Sequence, residues 1–269
     1  MKLFAVFGNP ILHSKSPMLH NYALYKLKID ARYVRYLLDS SKDFRELFFL
    51  LGLSGANITL PFKEDVANIC DEVCGIAQKI GAVNTIIKKN DKIIGYNTDA
   101  IGFYKNIESK NIKNALLLGA GGSAKAIAMI LKEKNINVII SNRSKQNLSF
   151  FDDRGFETCI NDEILESTKQ KEFEIIINAT SSSIHNTLPL QKDILESLFN
   201  RSSIAFDLMY GKKCIFLESA KAKGLDTIDG SKMLLYQAIP ALSIFTNIDE
   251  SKIKPHMEHI YKIISSTKD

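Results

Sequence analysis

A glycine-rich segment in the middle of the chain restricts the possible folds more than any other feature. An apolar run at residues 115–118 predicts a buried strand, and an amphipathic stretch that ends at residue 134 predicts a helix. Between them lies Gly119-Ala120-Gly121-Gly122-Ser123-Ala124. It fits the G-x-G-x-x-A pattern of dinucleotide-binding turns, which is weak alone but gains weight from the flanking strand and helix. We predict a dinucleotide-binding unit, against the alternative of a glycine-rich turn without a ligand.

Three positions of this turn have distinct roles in dinucleotide binding. Gly119 would permit the tight turn, Gly121 would let the backbone approach a pyrophosphate, and Ala124 would allow the helix to pack closely on the strand. The N-terminus of the helix would offer N–H groups and a partial positive charge to the phosphates.

The end of the next predicted strand, at residues 138–141, indicates which dinucleotide is bound. NAD sites usually carry an acidic residue there, which accepts hydrogen bonds from the ribose 2′-hydroxyl. Here the strand is followed by Asn142, Arg143, Ser144 and Lys145, without an acid. Arg143 can pair with a 2′-phosphate, and Asn142 and Ser144 can add neutral hydrogen bonds. The sequence therefore favours NADP over NAD, although Arg143 alone could be an ordinary surface arginine.

Strands alternate with helices on both sides of residue 99. In the C-terminal part, predicted strands at 115–118, 138–141, 175–178 and 204–208 alternate with helices, which indicates a parallel, doubly wound sheet. The N-terminal part is predicted to be a mixed α/β unit. It has strands at 3–7, 33–38 and 56–59, helices that open at Ser16-Pro17 and at Pro61, and a hairpin of residues 83–87 and 93–96. Residues 100–108, 233–245 and 252–265 are predicted to be helical.

Four polar clusters lie on or beside the predicted strand ends of the N-terminal part. They are Ser14-Lys15-Ser16, Asn57-Ile58-Thr59-Leu60-Pro61-Phe62-Lys63, Ala82-Val83-Asn84-Thr85 and Asn97-Thr98-Asp99. In an extended segment Ser14 and Ser16 would point the same way, so that two hydroxyls could reach one carboxylate. Lys63 falls in the first turn of a predicted helix, where the helix dipole disfavours a cation. Such a local cost hints at a functional role.

Each of these residues, taken singly, also has a structural explanation. Ser16 could be the N-cap of a helix with Pro17 at its first position. Lys63 could be a surface lysine, Asp99 could cap the helix at 100–108, and Gln237 could be a satisfied amide within a helix. His256 and His259 are three residues apart, and a solvated helix face is favoured over a metal site.

Composition and charge argue against several other classes of protein. The 269 residues are 45% hydrophobic and 24% charged, which is ordinary for a globular protein of one to two domains. No apolar run approaches the roughly 18 residues that span a bilayer. The net charge of +5 is spread over many lysines without a nucleic-acid motif. Without a C-x-x-C pair, reduced thiols and a cytoplasmic location are expected from Cys70, Cys74, Cys159 and Cys214.

Taken together, the motifs resemble those of the shikimate dehydrogenase family along almost the whole chain. The matching strings, in the family's order, are Phe7-Gly8-Asn9-Pro10 with His13-Ser14-Lys15-Ser16-Pro17, the cluster from Asn57 to Lys63, Gly81-Ala82-Val83-Asn84-Thr85, Asn97-Thr98-Asp99, the glycine turn, Asn142-Arg143-Ser144, Asn178-Ala179-Thr180-Ser181, and Asp229-Gly230 followed by Gln237. The resemblance implies a two-domain α/β fold. A mixed α/β substrate domain (residues 1–99, joined by C-terminal helices 231–269) would accompany a Rossmann-like doubly wound NADP-binding domain (residues 100–230), with the active site in the cleft between them.

The resemblance also implies an activity and a set of residue roles. The activity is the reversible NADPH-dependent reduction of 3-dehydroshikimate to shikimate, on the pathway to chorismate and the aromatic amino acids, without a metal. Lys63 and Asp99 would form the catalytic acid–base pair. The substrate would be held by Ser14, Ser16 and Tyr210 at its carboxylate, by Thr59, Asn84, Asp99 and Gln237 at its ring hydroxyls, and by Asn57 in the pocket wall. Leu208 and Gly230 would lie near the nicotinamide.

The sequence departs from the family pattern at two positions on the expected cofactor side. Ser183 and Lys232 each stand where a glycine is common in the family, which bears on loop conformation and cofactor affinity. The nearest alternative function is a quinate or mixed quinate/shikimate dehydrogenase that uses NAD. A non-catalytic ligand-sensing module is the alternative from another class. The two serines with Arg143 favour shikimate and NADP, and we expect a monomer or homodimer with a small-molecule substrate.

Overall fold

The structure, a computed structural model, describes residues 1–210 and 214–266. The chain divides into two compact units. The first consists of Met1–Gly102 and Leu234–Asp269, and the second of Phe103–Met233.

The first unit is built on a mixed sheet. Its strands are β1 (Lys2–Gly8), β2 (Ala31–Leu37), β3 (Gly55–Ile58), β4 (Glu72–Val73), β5 (Thr85–Lys89) and β6 (Lys92–Tyr96), and they lie in the order β2-β1-β3-β5-β6-β4. The pairs β1/β2, β1/β3 and β4/β6 are parallel, whereas β3/β5 and β5/β6 are antiparallel. The helices of this unit are α1 (Ser16–Lys26), α2 (Phe44–Leu50), α3 (Lys63–Ile69), α4 (Ile76–Ile80), α5 (Asp99–Ile107), α11 (Ser231–Thr246) and α12 (Glu250–Ser266), of which α5 and α11 cross the unit boundary.

Two apolar clusters fix this unit. One joins β1 and β2 to α1, α11 and α12, with Phe4 stacked on Phe245 at 4.7 Å between ring centroids. The other joins β3 and the hairpin of β5 and β6 to α2 and α3. Consecutive residues of β1 serve both clusters, because neighbouring side chains of a strand point to opposite faces of a sheet. The C-terminal helices therefore complete the core of the N-terminal unit.

The second unit is a parallel sheet. Its strands are β7 (Asn114–Leu118), β8 (Asn137–Asn142), β9 (Glu157–Ile160), β10 (Phe173–Asn178), β11 (Ser202–Asp207) and β12 (Asp226–Ile228), in the order β12-β11-β10-β7-β8-β9. The helices are α6 (Gly122–Glu133), α7 (Ser149–Asp152), α8 (Ile164–Ser167), α9 (Lys192–Phe199) and α10 (Ile215–Ala222), with short 3₁₀ segments at Lys145–Leu148, Asn161–Glu163 and Ser182–His185. Numbered within the unit, this is the strand order 3-2-1-4-5-6 of Rossmann folds, read from the other edge. The predicted α/β fold with a doubly wound sheet is confirmed.

Two predicted helix starts are wrong in detail. Helix α1 begins at Ser16 itself, its cap residue is Lys15, and no side chain caps it, so Ser16 is not the N-cap and Pro17 takes the second position. Helix α3 begins at Lys63 and not at Pro61. Pro61 instead lies inside a turn, which is closed by the Phe62 N–H donating to the Thr59 carbonyl at 3.1 Å.

Several short elements were not predicted from the sequence. Strands β4 and β12 are mostly exposed, and β9 alternates weakly, so none of them has an apolar run or a clear period-two pattern. They form because longer neighbouring strands offer free hydrogen-bonding edges. Within residues 1–210 and 214–266, no helix is long and apolar enough to cross a membrane.

Candidate active site

Lys63 and Asp99 meet in the first unit. Lys63 is the first residue of α3 and Asp99 is the first residue of α5. Their side chains are buried, with relative exposures of 8% for Lys63 and 6% for Asp99, and the Lys63 ammonium contacts Asp99 Oδ2. Burying an ammonium group is costly unless an anion is paired with it. A single exposed pair contributes little to stability, but here a buried acid–base pair is held at the ends of two helices.

Asn84 braces the carboxylate of this pair. Its Nδ2 donates to Asp99 Oδ1 at 2.8 Å and to Thr98 Oγ1 at 3.0 Å, and its Oδ1 accepts the Thr98 N–H at 2.8 Å. A backbone N–H can only donate, so the orientation of the Asn84 amide is determined. The Asp99 N–H in turn donates to Asn97 Oδ1 at 3.0 Å. Both oxygens of Asp99 are thus bonded to side chains, in contrast to a carboxylate that merely caps its helix.

Asn57 lies beside this pair, on β3, and is buried. Its Nδ2 donates to the Asn84 carbonyl and to Thr85 Oγ1, both at 3.0 Å, and its Oδ1 accepts from the Tyr33 hydroxyl at 2.6 Å. Thr85 and Tyr33 were not among the residues singled out from the sequence. Thr85 belongs to a recognised cluster, but Tyr33 lies in an apolar run of β2 and gives no sequence signal.

Ser14 and Ser16 are both buried, as a pair of hydroxyl groups should be if they bind one anionic group. The segment is not extended, however, because Lys15 has a φ of −89° and a ψ of −1°. The Ser16 N–H donates to Ser14 Oγ at 3.3 Å. Arg35, which the sequence did not point to, donates from Nε at 2.8 Å and from Nη2 at 2.6 Å to the Ser14 carbonyl. The guanidinium of Arg35 therefore holds the backbone of this turn in place.

Thr59 and Gln237 complete the predicted residues of the first unit. Thr59 is half-buried directly after β3, and a Cβ on Gly8 would lie 2.4 Å from its Cγ2, so only glycine allows this approach. Gln237 lies on α11, where its Nε2 donates to the Leu234 carbonyl at 3.0 Å and its Oε1 accepts from Thr98 Oγ1 at 3.4 Å. Gln237 is therefore tied to Thr98, which also contacts Asn84.

The glycine turn lies in the second unit, at the carboxyl ends of the parallel strands. The Gly119 N–H donates to the Ser141 carbonyl at 2.8 Å, and the Ala179 N–H donates to the Leu118 carbonyl at 2.9 Å. The turn, the end of β8 and the end of β10 thus share one edge of the sheet. In a sheet of this order, ligands bind outside the carboxyl ends at the switch point, which here is between β7 and β10.

The glycines of this turn are required for different reasons. Gly119 has a φ of +110°, and a Cβ there would lie 3.1 Å from the carbonyl carbon of Ala179, so both the backbone and its neighbours demand glycine. Gly121 has an ordinary φ of −79°, and a Cβ there would meet no atom within 4 Å. The packing of the protein does not require a glycine at 121. A close backbone approach by a phosphate group does, so the turn fits a dinucleotide.

The remaining residues of the turn follow from the helix that it opens. Ala120 is buried, Gly122 is the first residue of α6, Ser123 is half-buried, and Ala124 is buried where the helix rests on the sheet. After β8, the Asn142 amide donates to the Ser144 carbonyl at 2.9 Å. Arg143 and Lys145 are exposed. The cations available for a 2′-phosphate are thus held on a short hydrogen-bonded turn.

Leu208, Tyr210 and Gly230 lie beyond β11, also in the second unit. Leu208 and Tyr210 are half-buried, and Gly230 is buried. A Cβ on Gly230 would lie 1.9 Å from the carbonyl oxygen of Leu208, and the Gly230 N–H donates to the Met209 carbonyl at 3.0 Å. Glycine at 230 is therefore required by the close approach of these two segments.

A buried carboxyl group organises this part of the second unit. Asp207, at the end of β11, accepts hydrogen bonds from Asn178 Nδ2 at 2.7 Å, from Ser183 Oγ at 2.6 Å and from the Met209 N–H at 2.8 Å. Ser183 is thus one of the family departures with a clear structural role, since its hydroxyl ties the loop after β10 to β11. Lys232 is exposed at the start of α11. The sequence did not single out Asp207.

A cavity of about 790 Å³ lies at the opposite edge of the same sheet. Its lining includes the first residues of four strands, Asn114, Asn137, Glu157 and Phe173. Because it lies at the amino ends of the strands, it is separate from the glycine turn. Within the described parts of the chain, no group of three or more His, Cys, Asp or Glu side chains could hold a metal ion.

Comparison with known proteins identifies the family. Residues 6–86 match the family model described as the shikimate dehydrogenase substrate binding domain. The shikimate dehydrogenase (NADP(+)) of Helicobacter hepaticus is 50% identical over 244 residues, which cover 90% of each chain. The protein of the same name from Helicobacter pylori is 46% identical over 250 residues, which cover 91% of this chain and 93% of the relative.

Solved structures agree with the sequence comparison. Shikimate dehydrogenase 1 from Peptoclostridium difficile has a TM-score of 0.83 at 28% identity, with 99% of this chain and 100% of that chain covered. The shikimate 5-dehydrogenase of Thermus thermophilus, solved in complex with NADP(H) and shikimate, has a TM-score of 0.81 at 31% identity, with 97% and 100% covered. The chain therefore belongs to the shikimate dehydrogenase (NADP(+)) family.

Proposed function

We propose that this chain is an NADP-dependent oxidoreductase that interconverts 3-dehydroshikimate and shikimate, on the route to chorismate and the aromatic amino acids. The names of the relatives and the complex of the Thermus thermophilus enzyme support this substrate and this cofactor. The observation that carries the proposal is the buried contact between Lys63 and Asp99, braced by Asn84.

Lys63 and Asp99 are proposed to move the proton of the reaction. When the ketone is reduced, its oxygen gains negative charge and needs a proton, which the Lys63 ammonium can donate. In the reverse direction the amine, or a water coupled to it, accepts the proton. Asp99 keeps the ammonium group oriented and also accepts from a substrate hydroxyl. A positioned acid–base group of this kind contributes roughly 10²–10⁴-fold to the rate, and its positive charge stabilises the developing oxyanion.

The other residues are proposed to recognise the carboxylate and the ring hydroxyls. Ser14 and Ser16, whose turn is held by Arg35, would donate to the carboxylate together with Tyr210. Thr59, Asn84, Asp99 and Gln237 would bind the ring hydroxyls, and Asn57 would form part of the pocket wall. In the arrangement observed, Asn84 already uses both amide hydrogens on Thr98 and Asp99, so its support of Asp99 is a second role.

The second unit is proposed to bind NADP, which when bound supplies or accepts the hydride. The backbone from Gly119 to Ala124 would hold the pyrophosphate at the N-terminus of α6, and Arg143 would pair with the 2′-phosphate, assisted by Asn142, Ser144 and Lys145. Leu208 and Gly230 would form the surface near the nicotinamide. The first unit would then be the substrate domain and the second unit the cofactor domain.

A cytoplasmic location is part of the same proposal. It is supported by free thiols at Cys70, Cys74, Cys159 and Cys214, which suit a reducing compartment. Either a monomer or a homodimer fits the proposal, because every proposed site residue belongs to one chain.

A direct assay tests the proposed activity. Purified protein is mixed with shikimate and NADP, and the absorbance of the reduced nicotinamide is followed. Parallel reactions with quinate and with NAD separate the proposal from a quinate dehydrogenase that uses NAD. The expected result is the highest kcat/KM for shikimate with NADP. No reaction with any of the four combinations would instead support a non-catalytic ligand-binding module.

Variants of Lys63 test its proposed role in that assay. Lys63→Ala removes the proton donor, and Lys63→Arg keeps the positive charge but does not release a proton near neutral pH. We expect both to lower kcat by about 10²-fold or more, with a modest change in shikimate affinity. Lys89→Ala, at an exposed position at the end of β5, is the matched control and should leave kcat unchanged. A Lys63→Ala protein that is folded and retains its turnover would show that Lys63 only binds or stabilises.

A further inference from the structure

Tyr33 points its hydroxyl group at the proposed substrate pocket from the interior of the first unit. The residue is 1% exposed, and its hydroxyl donates to Asn57 Oδ1 at 2.6 Å. Helix α1 holds it from two directions. The His20 ring stacks on the Tyr33 ring at 4.1 Å between centroids and an interplanar angle of 4°, and the Asn21 side chain bonds the Tyr33 N–H at 2.9 Å and carbonyl at 2.8 Å. The position of the hydroxyl is therefore determined by the helix and the strand together.

From Tyr33, hydrogen bonds of one direction run to the carboxylate of Asp99. Asn57 accepts from Tyr33 and donates to Thr85 Oγ1 at 3.0 Å. Thr85 donates to Asn84 Oδ1 at 2.9 Å, and Asn84 donates to Asp99 Oδ1 at 2.8 Å. In such a chain each group polarises the next, so that bonds within it strengthen one another.

The direction of this chain is fixed at two points by the backbone. Asn57 Nδ2 also donates to the carbonyl of Asn84, which can only accept, and Asn84 Oδ1 also accepts the N–H of Thr98, which can only donate. Neither amide can turn over without placing like groups against each other. Both amide hydrogens of Asn57 are then in use, so Asn57 offers a ligand the remaining lone pair of Oδ1. The ligand group that meets it must be a donor, such as a ring hydroxyl.

We propose that Tyr33 is a positioning residue for substrate recognition. Its hydroxyl fixes the Asn57 amide so that Oδ1 accepts from a hydroxyl group of the substrate, and it supports the bonds that run through Thr85 and Asn84 to Asp99. Tyr33 itself acts through Asn57 and has no role in the chemical step. The inference rests on the proposed function, since it names a determinant of hydroxyl recognition at the same site.

The Tyr33→Phe variant tests this role with a change of one oxygen atom. Loss of one neutral hydrogen bond should raise the KM for shikimate about five- to tenfold. The value of kcat should stay within about twofold, because the contact between Lys63 and Asp99 remains, and the KM for NADP should not change. Tyr36→Phe is the matched control, since it makes the same change on the same strand at a residue that packs on Phe7. Its KM for shikimate should equal that of the unaltered protein.

A double-mutant cycle decides whether the effect passes through Asn57. In an Asn57→Ala background, Tyr33→Phe should raise the KM for shikimate no further, because the accepting oxygen is already gone. An equal increase in both backgrounds would overturn the proposal and assign Tyr33 to packing. If Asn57→Ala does not fold, the single variant decides alone: a rise confined to the shikimate KM supports the proposal, and an unchanged KM refutes it.

The outcome for Tyr33 is distinguishable from the outcome for the proposed function. An unaltered protein that turns over shikimate with NADP, together with a Tyr33→Phe protein of identical KM, removes the inference and leaves the function standing. An unaltered protein that is inactive in this assay removes the function and the inference with it.

Discussion

His20 makes the stability of this protein sensitive to acid. The residue is fully buried on α1, its ring stacks on Tyr33, and Phe245 lies 6.0 Å away between ring centroids. Neither ring nitrogen has a hydrogen-bond partner among the described residues. Burial without a partner disfavours the charged imidazolium and lowers the pKa of His20 from its ordinary value of 6.5 to about 3.

The sign and size of the effect follow from proton linkage. Above pH 6.5 His20 is neutral in both the folded and the unfolded chain, so it carries no penalty. As the pH falls below 6.5, the unfolded chain binds a proton that the folded chain accepts only near pH 3, and the folded state loses stability over that window. At pH 5 the difference is about 1.5 pKa units, which at about 1.36 kcal/mol per unit corresponds to a loss of roughly 2 kcal/mol relative to pH 8.

A His20→Phe variant isolates this contribution. Phenylalanine keeps an aromatic ring against Tyr33 and has no group that titrates. Urea unfolding at pH 8 and at pH 5 gives the free energy of unfolding of each protein at each pH. We expect the unaltered protein to lose about 2 kcal/mol more than His20→Phe between the two pH values.

The control for this experiment is His259→Gln, at an exposed position on α12. Its loss of stability between pH 8 and pH 5 should equal that of the unaltered protein. If His20→Phe also loses as much stability as the unaltered protein, then His20 is protonated in the folded state at pH 5 and the argument from burial is refuted.

Three further substitutions test the second unit. Gly230→Ala should lower the free energy of unfolding by about 3 kcal/mol or more in urea titrations, because the new Cβ would overlap the Leu208 carbonyl; unchanged stability would contradict the close approach. Arg143→Ala should raise the KM for NADP far more than the KM for NAD, and equal effects on both would remove its assignment to the 2′-phosphate. Ser183→Ala should lower the free energy of unfolding by about 1.5–3 kcal/mol, because it removes a donor to the buried Asp207; a loss near zero would contradict that bond.

Much of the fold could be predicted from local sequence patterns. The apolar run of β7, the glycine turn and the amphipathic α6 predict a strand–turn–helix unit, because each pattern is local and has the period of its element. The short strands β4, β9 and β12 could not be predicted in this way. Their residues have little apolar pattern of their own, and they pair because a neighbouring strand is already in place.

The candidate site divides along the same line. Lys63 and Asp99 stood out as polar residues at strand and helix ends, but 36 positions separate them along the chain, and their contact depends on how the first unit packs. The predicted extended geometry of Ser14 and Ser16 was wrong, because Lys15 takes a helical conformation that leads directly into α1. The arginine that holds this turn, Arg35, comes from another strand and left no mark in the local sequence.

The sequence by itself determined the family, the alternation of strands and helices, and the chemical groups available to the site, since these depend on residue identity and on short-range periodicity. Only the tertiary structure decided that Tyr33, Asn57, Thr85 and Asn84 would donate in one direction toward Asp99, and that His20 would be buried without a partner. Hydrogen bonds and burial depend on distances between residues that are far apart in the chain. Such distances are set when the core closes, and no local pattern encodes them.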